Sequence, residues 1–193
     1  MNNIVLTGFR ATGKTSVGKA LATKLGYAFS DTDRLLCERL HAPIADIVAR
    51  HGWPFFRQAE AQLLRELASM THTVLATGGG AIQHHAEWSL LRTHSYVVWL
   101  DADLATISKR IAADAASAAQ RPALVQGLTA HDEIETLLEQ RRPLYAAGSD
   151  LRLDTANDDP ETLAERIVEQ LKRMANEGRG KTLRDRAKVA AKG

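Results

Sequence analysis

The chain has 193 residues, 45% of them apolar and 25% charged, which suits one folded domain with a real core and excludes wholesale disorder. A single cysteine, Cys37, excludes an internal disulfide framework, and no apolar run approaches the ~20 residues a membrane-spanning helix requires. The formal charge of +2 is uneven: residues 175–193 hold six Lys/Arg and two Asp/Glu, a formal +4, which leaves −2 for the remainder.

In chain order, the opening MNNIVLTGF has neither a basic leader nor a cleavage-site pattern, so the expectation is a cytoplasmic protein. Residues 4–7 form a short β-rich run. Lys14–Leu25 follows with Val17, Leu21 and Leu25 at helical spacing, and Gly26 ends it. A second strand is predicted over 27–30, and then helical pieces fill 33–69, broken near Pro43 and at Gly52-Trp53-Pro54. Thr73–Ala76 reads as a third strand closed by Gly78-Gly79-Gly80, 96–100 as a fourth and 151–153 as a weak fifth. Brief apolar strands separated by helices predict an α/β fold, a parallel sheet covered on both faces. Right-handed crossovers then place every strand's C-terminal end on one edge, where such sheets bind ligands. Beyond 173 the chain is poor in large apolar residues and reads as a basic, frayed tail. With no aromatic residue there to stack on bases, nucleic acid is not an expected partner, and a membrane role is not expected either.

The loop after the first strand is GFRATGKTS, in which Gly8-x4-Gly13-Lys14-Thr15 fits a P-loop in its required strand–loop–helix setting. Such a loop curls its N–H groups around phosphate oxygens at a helix N-terminus. Lys14 adds a mobile charge for the β- and γ-phosphates, and Thr15 a hydroxyl for Mg²⁺. The ligand expected is a nucleoside triphosphate, ATP. A GTPase fits less well, since no Asn-Lys-x-Asp stretch is present and the length suits a compact kinase.

Three further stretches sit on the same predicted edge. In Asp31-Thr32-Asp33 an extended backbone points both carboxylates to one side, one toward the metal shell and one toward an acceptor hydroxyl; alternatively Asp33 is only a helix cap. In HGWPFFRQAE, Glu60 lies three residues after Arg57 and can orient its guanidinium, with Phe55 and Phe56 drying the surroundings. EQRRPLY offers a second arginine pair, and two converging guanidiniums suit a substrate carboxylate. ATGGGA offers backbone that a small molecule can approach closely. His84-His85 lack the ligand spacing of a metal site, Cys37 reads as packing, and Trp53, Trp88 and Trp99 read as core or rim, Trp53 nearest the acid pocket.

GFRATGKTSVGKALA, SDTD, FFRQAE, ATGGGA, QRPAL and RRPLY, in that order, resemble shikimate kinase, a family of P-loop small-molecule kinases, over residues 4–173. The resemblance implies a three-layer P-loop kinase fold, a central five-stranded parallel sheet with helices on both faces and a mobile lid at about 111–127, with residues 174–193 as a flexible tail. It implies ATP-dependent phosphorylation of the 3-hydroxyl of shikimate by a monomer. Gly8, Arg10, Ala11, Thr12, Gly13, Lys14, Thr15 and Ser16 would hold the phosphates, with Mg²⁺ at Thr15 and Asp31. Arg110 and Pro160 would flank adenine. Asp33 would meet the hydroxyls of shikimate, Arg57 and Arg141 its carboxylate, and Gly78, Gly79 and Gly80 its ring. Arg121, in the lid, would reach the transferring phosphoryl group, which makes Lys14, Asp33 and Arg121 the expected catalytic set. The sequence departs from the family pattern at Trp53, where an acid is common, at Ala123-Leu124 in place of a leucine pair, and in the longer interval from Arg110 to Arg121. A gluconate kinase and a nucleotide-binding module without turnover are the alternative readings.

Overall fold

The computed structural model describes residues 3–113 and 129–190, with side chains as far as 177. Five strands, β1 (Asn3–Thr7), β2 (Ala28–Asp31), β3 (Thr73–Ala76), β4 (Ser95–Asp101) and β5 (Leu151–Asp154), pair in the order β2-β3-β1-β4-β5. All four pairings are parallel, with Leu6 opposite Ala76 on one side and Val98 on the other. Between them run α1 (Lys14–Leu25), α2 (Thr32–Leu40), α3 (Ile44–Leu67), α4 (His85–Arg92), α5 (Leu104–Ala113) and α6 (Ala130–Gly148), and α7 (Pro160–Ala190) follows β5.

The strand period of two explains why both faces are covered. Ile4, Leu6, Tyr96, Val98 and Leu100 pack with Val17 and Leu21 of α1 and Leu163 and Ile167 of α7. The intervening Val5, Val97 and Trp99 join Leu36 of α2, Leu64 of α3, Trp88 of α4 and Tyr145 of α6 on the opposite face. Leu6, Leu21, Leu64, Leu100 and Ile167 are wholly buried; each such side chain contributes about 1.5–3 kcal/mol relative to leaving it in water. A third cluster, Phe9, Ala102, Ile107, Ile134, Leu137 and Leu138, fastens α5 and α6 to the loop after β1. Among the residues whose side chains are described, Met174 is the last one packed against these cores.

Helix α3 breaks where the sequence predicts: the backbone leaves helical geometry at Gly52 (φ 79°, ψ 167°), and Pro54, which has no N–H to give, opens the second half. That break aims Trp53, Phe56, Arg57 and Glu60 at the C-terminal edge of the sheet. The parallel topology gathers the loops after β1, β2 and β3 on that edge, with the β1 loop central.

Candidate active site

The loop after β1 is shaped by backbone before any side chain acts. Gly8 has φ 138°, and a Cβ there would lie 2.1 Å from the Leu100 carbonyl oxygen, so β1 and β4 leave space for no other residue. Ala11 (φ 61°) and Gly13 (φ 87°) are also left-handed, and Thr12 is buried with its hydroxyl donating to Phe9 O at 2.8 Å. The loop therefore curls back on itself and leads into α1, whose first turn carries Lys14, Thr15 and Ser16. The Lys14 ammonium lies folded over the curl, donating to Phe9 O at 2.5 Å. Arg10 lies over the Phe9 ring, 5.7 Å from its centroid, and lines the neighbouring cleft.

Asp31 and Asp33 do not point to one side as the extended-strand expectation has it, and the helix cap is Asp31 and not Asp33. β2 ends at Asp31 and helix α2 starts at Thr32, so the two carboxylates diverge. Asp31 is the cap: its Oδ1 accepts from the backbone N–H groups of Asp33 (3.1 Å) and Arg34 (3.3 Å). Its Oδ2 accepts from the Thr15 hydroxyl at 2.8 Å. One carboxylate and one hydroxyl thus meet beside the phosphate loop, the sparse oxygen set that Mg²⁺ takes when phosphates and water complete its shell. Asp33, not the cap, lines the cleft instead. Between them the buried Thr32 hydroxyl accepts from Gly78 N–H at 2.8 Å, tying the end of β2 to the glycine run after β3.

The cleft holds ≈ 530 Å³ of space, its open mouth included, enough for a substituted six-membered ring. Gly78, Gly79 and Gly80 form its ledge, and the ledge abuts the phosphate loop: a Cβ on Gly79 would lie 3.4 Å from Gly8 O and 3.5 Å from Arg10 N. On one side Arg57 lies flat over Gly80, where a Cβ would stand 2.3 Å from Nη1. On the other, Arg141 from α6 donates to Gly79 O at 3.3 Å, and Tyr145, one turn further on, donates to the same oxygen at 2.6 Å. Two guanidiniums 84 positions apart in sequence therefore converge on adjacent glycines.

Their charges are differently compensated. Arg57 donates to Glu60 Oε2 at 2.5 Å and stacks on Trp53 (5.3 Å) and Phe56 (5.5 Å). Phe56 is buried as expected, but Phe55 is 39% exposed and dries nothing, because it sits on the outer face of α3 beside His51. Arg141 is 5% exposed, its Nε is buried without a partner, and no ion pair to it occurs among the described residues. Burial pushes its guanidinium below the ordinary value, and nearby Arg57 adds to this, while Tyr145 and Glu60 oppose it. Burial also pushes the Tyr145 phenol up to about 12, keeping it a neutral donor. Glu60, 1% exposed, feels burial raising its carboxyl, but the hydrogen bond from His84 and the Arg57 charge together hold it below the usual range. His84 is thus part of the site, through a 2.8 Å contact of its Nε2 with Glu60 Oε2, although the sequence offers it no role.

Arg110 of α5 donates to Ala11 O (3.3 Å) in the phosphate loop and to Thr155 Oγ1 (3.0 Å) and O (2.5 Å) after β5. Pro160 begins α7 at the far end of that same loop. Arg121 and all of the expected lid beyond 113 lie outside the described residues.

A phosphate loop on the central strand of a parallel sheet, a hydroxyl–carboxylate pair beside it and an anion-ready cleft against it define a P-loop small-molecule kinase. The family model described as "Shikimate kinase" matches residues 10–172. The chain is 41% identical over 170 residues to the shikimate kinase of Thermosynechococcus vestitus, covering 88% of this chain and 89% of that one. It is 42% identical to the shikimate kinase of Moorella thermoacetica, covering 88% and 94% of the two chains. Among solved structures, shikimate kinase from Acinetobacter baumannii in complex with shikimate superposes with a TM-score of 0.82 at 32% identity, covering 91% of this chain and 94% of that chain. A gluconokinase from Sinorhizobium meliloti, at 18% identity and a TM-score of 0.54, shares the fold alone. The chain belongs to the shikimate kinase family, and ATP is its co-substrate.

Proposed function

We propose that this protein transfers the γ-phosphoryl group of ATP to the 3-hydroxyl of shikimate, with the residues of the two adjoining sites in the following roles. The observation that carries the reading is the convergence of Arg57 and Arg141 over the Gly79–Gly80 ledge, against the phosphate loop, with the Arg141 Nε still lacking an acceptor. A ring carboxylate supplies that acceptor through paired hydrogen bonds. Asp33, on the same cleft, accepts from the ring hydroxyls and takes the proton of the attacking one. Gly78, Gly79 and Gly80 let the ring approach the backbone.

On the nucleotide side Gly8, Arg10, Ala11, Thr12, Gly13 and Ser16 surround the phosphates, and Lys14 exchanges the Phe9 carbonyl for phosphate oxygens. Arg110 and Pro160, joined by the 155–160 loop, flank the base. Thr15 and Asp31 would hold Mg²⁺, which supplies charge neutralisation on the phosphate oxygens when bound. Phosphoryl transfer needs little covalent help, so in-line placement and positive charge from Lys14 do the catalytic work. The family resemblance assigns Arg121 a share of that charge. Residues 1–173 act as the kinase unit, a boundary supported by the family match ending at residue 172, and the unit works as a cytoplasmic monomer. No helix among the described residues is long and apolar enough to cross a membrane.

The test is direct. Incubation with ATP, Mg²⁺ and shikimate yields ADP and a product whose phosphorus couples to the proton at ring carbon 3. Gluconate in the same assay gives background ADP only. ADP release with gluconate and none with shikimate would reassign the acceptor.

A further inference from the structure

We propose that His84 is a positioning residue for the substrate carboxylate, acting through Glu60 on Arg57 and tightening the acid clamp when it is protonated. The inference rests on the acceptor reading given above, and its geometry stands apart from it.

Glu60 Oε2 is shared: Arg57 Nη1 donates to it at 2.5 Å and His84 Nε2 meets it at 2.8 Å. Glu60 is an ionised acceptor, so the neutral imidazole carries its proton on Nε2 and donates. His84 is placed for this by its own backbone. It caps α4, its N–H donating to Ala81 O (3.1 Å) and its carbonyl accepting from Trp88 N–H (2.8 Å). The ring is held between the buried carboxylate and solvent, 14% of its side chain exposed, so protons reach it without any rearrangement of the core.

The charged surroundings are few. From α3 come Arg57, Glu60 and Arg65; from α4 comes Glu87, which pairs with Arg65 at 2.7 Å and feels His84 electrostatically; from α6, Arg141 feels Glu60 and Arg57. Asp33 of α2 lies across Gly78 from Glu60. While His84 is neutral, its N–H draws on only part of the Glu60 charge, and Arg57 attracts an incoming anion with a largely compensated charge. When His84 gains a proton, Glu60 must serve two cations, and Arg57 has more charge to offer the substrate. The acid itself remains ionised above about pH 5, so the change belongs to the protein.

Two experiments decide it. In the first, KM for shikimate and for ATP is measured at about pH 6 and about pH 8, the range in which an imidazole changes charge. The unsubstituted protein shows a shikimate KM lower at the acid end by about three- to tenfold, and an ATP KM that moves little. His84→Ala raises the shikimate KM at both pH values. His84→Gln, which keeps an N–H donor for Glu60 and cannot titrate, restores most of that loss at pH 8 and gives a flat profile. A His84→Gln profile parallel to that of the unsubstituted protein overturns the proposal, and this variant alone decides should the alanine variant fail to fold. The second experiment needs no substrate. The His84 imidazole is titrated by NMR in the unsubstituted protein and in Arg57→Ala, where Glu60 is left to His84 and the midpoint rises. A midpoint unmoved by that substitution also overturns the proposal. Absence of shikimate-dependent ADP in the unsubstituted protein would instead count against the acceptor reading alone.

Discussion

The two halves of the site are built from different materials. The phosphate side is a backbone object: left-handed residues at Gly8, Ala11 and Gly13 and a helix start within one short stretch, with Lys14 as its main side-chain charge. The acid side is a side-chain object: Arg57 and Glu60 from α3, His84 from the start of α4 and Arg141 and Tyr145 from α6, none useful without the others. The contrast teaches where specificity can change. Backbone amides grip any triphosphate, whereas the acceptor is chosen by charges that the tertiary fold must assemble.

The largest expected effect tests the phosphate side. Lys14→Met lowers kcat by about a thousandfold or more, as removal of a preorganised transition-state charge does, and leaves the circular dichroism spectrum unchanged. Next comes Arg57→Ala on the acid side, which lowers kcat/KM for shikimate by an amount equivalent to about 2–5 kcal/mol. The KM for ATP stays within about twofold, since the site is lost on one side only. Equal losses for both substrates in a steady-state assay would erase the distinction between the halves.

A smaller effect reads the buried phenol. Tyr145 titrates at about 12 when folded, so between the ordinary value near 10 and 12 the folded chain holds a proton the unfolded chain has lost. Stability conferred by this group is therefore complete below pH 10 and falls as pH rises toward 12, by about 2–3 kcal/mol. Denaturant midpoints at about pH 8 and about pH 11 should converge between Tyr145→Phe and the unsubstituted protein as the pH rises, the phenylalanine variant being the less stable at pH 8 through loss of the Gly79 bond. Smallest of all, Phe55→Ser lowers the unfolding free energy by about 1 kcal/mol or less, because that side chain is already 39% exposed and packs on His51 at the surface.

These differences also explain what could be read from the sequence. The P-loop is legible because its chemistry is local, every requirement falling within eight consecutive positions. The inner strands β1, β3 and β4 are legible because they are buried on both faces and carry no charge before Asp101, whereas the edge strands β2 and β5, the latter holding Arg152, give a weaker signal. Arg57 and Glu60 are legible as a helical pair, and Arg141 by its resemblance to a family motif. The parting of Asp31 from Asp33 is not, because it turns on whether one residue ends a strand or begins a helix, and that is decided by the Asp31 cap and the Thr32–Gly78 bond together. Nor is His84: a histidine after a glycine run has no periodic or motif signal, and its partner lies 24 residues upstream. A buried glutamate already facing an arginine is the one hint that a third polar group must close the set.

The Thr32–Gly78 bond has a wider consequence. It pins the ledge beneath the acceptor to the strand end that carries Asp31, so floor and phosphate cradle behave as one casting. Apart from Asp33 on α2, what discriminates among acceptors is mounted on α3, α4 and α6, as detachable tooling. Retargeting this scaffold to another small acid is then a matter of refitting helical faces, with the casting left as it stands.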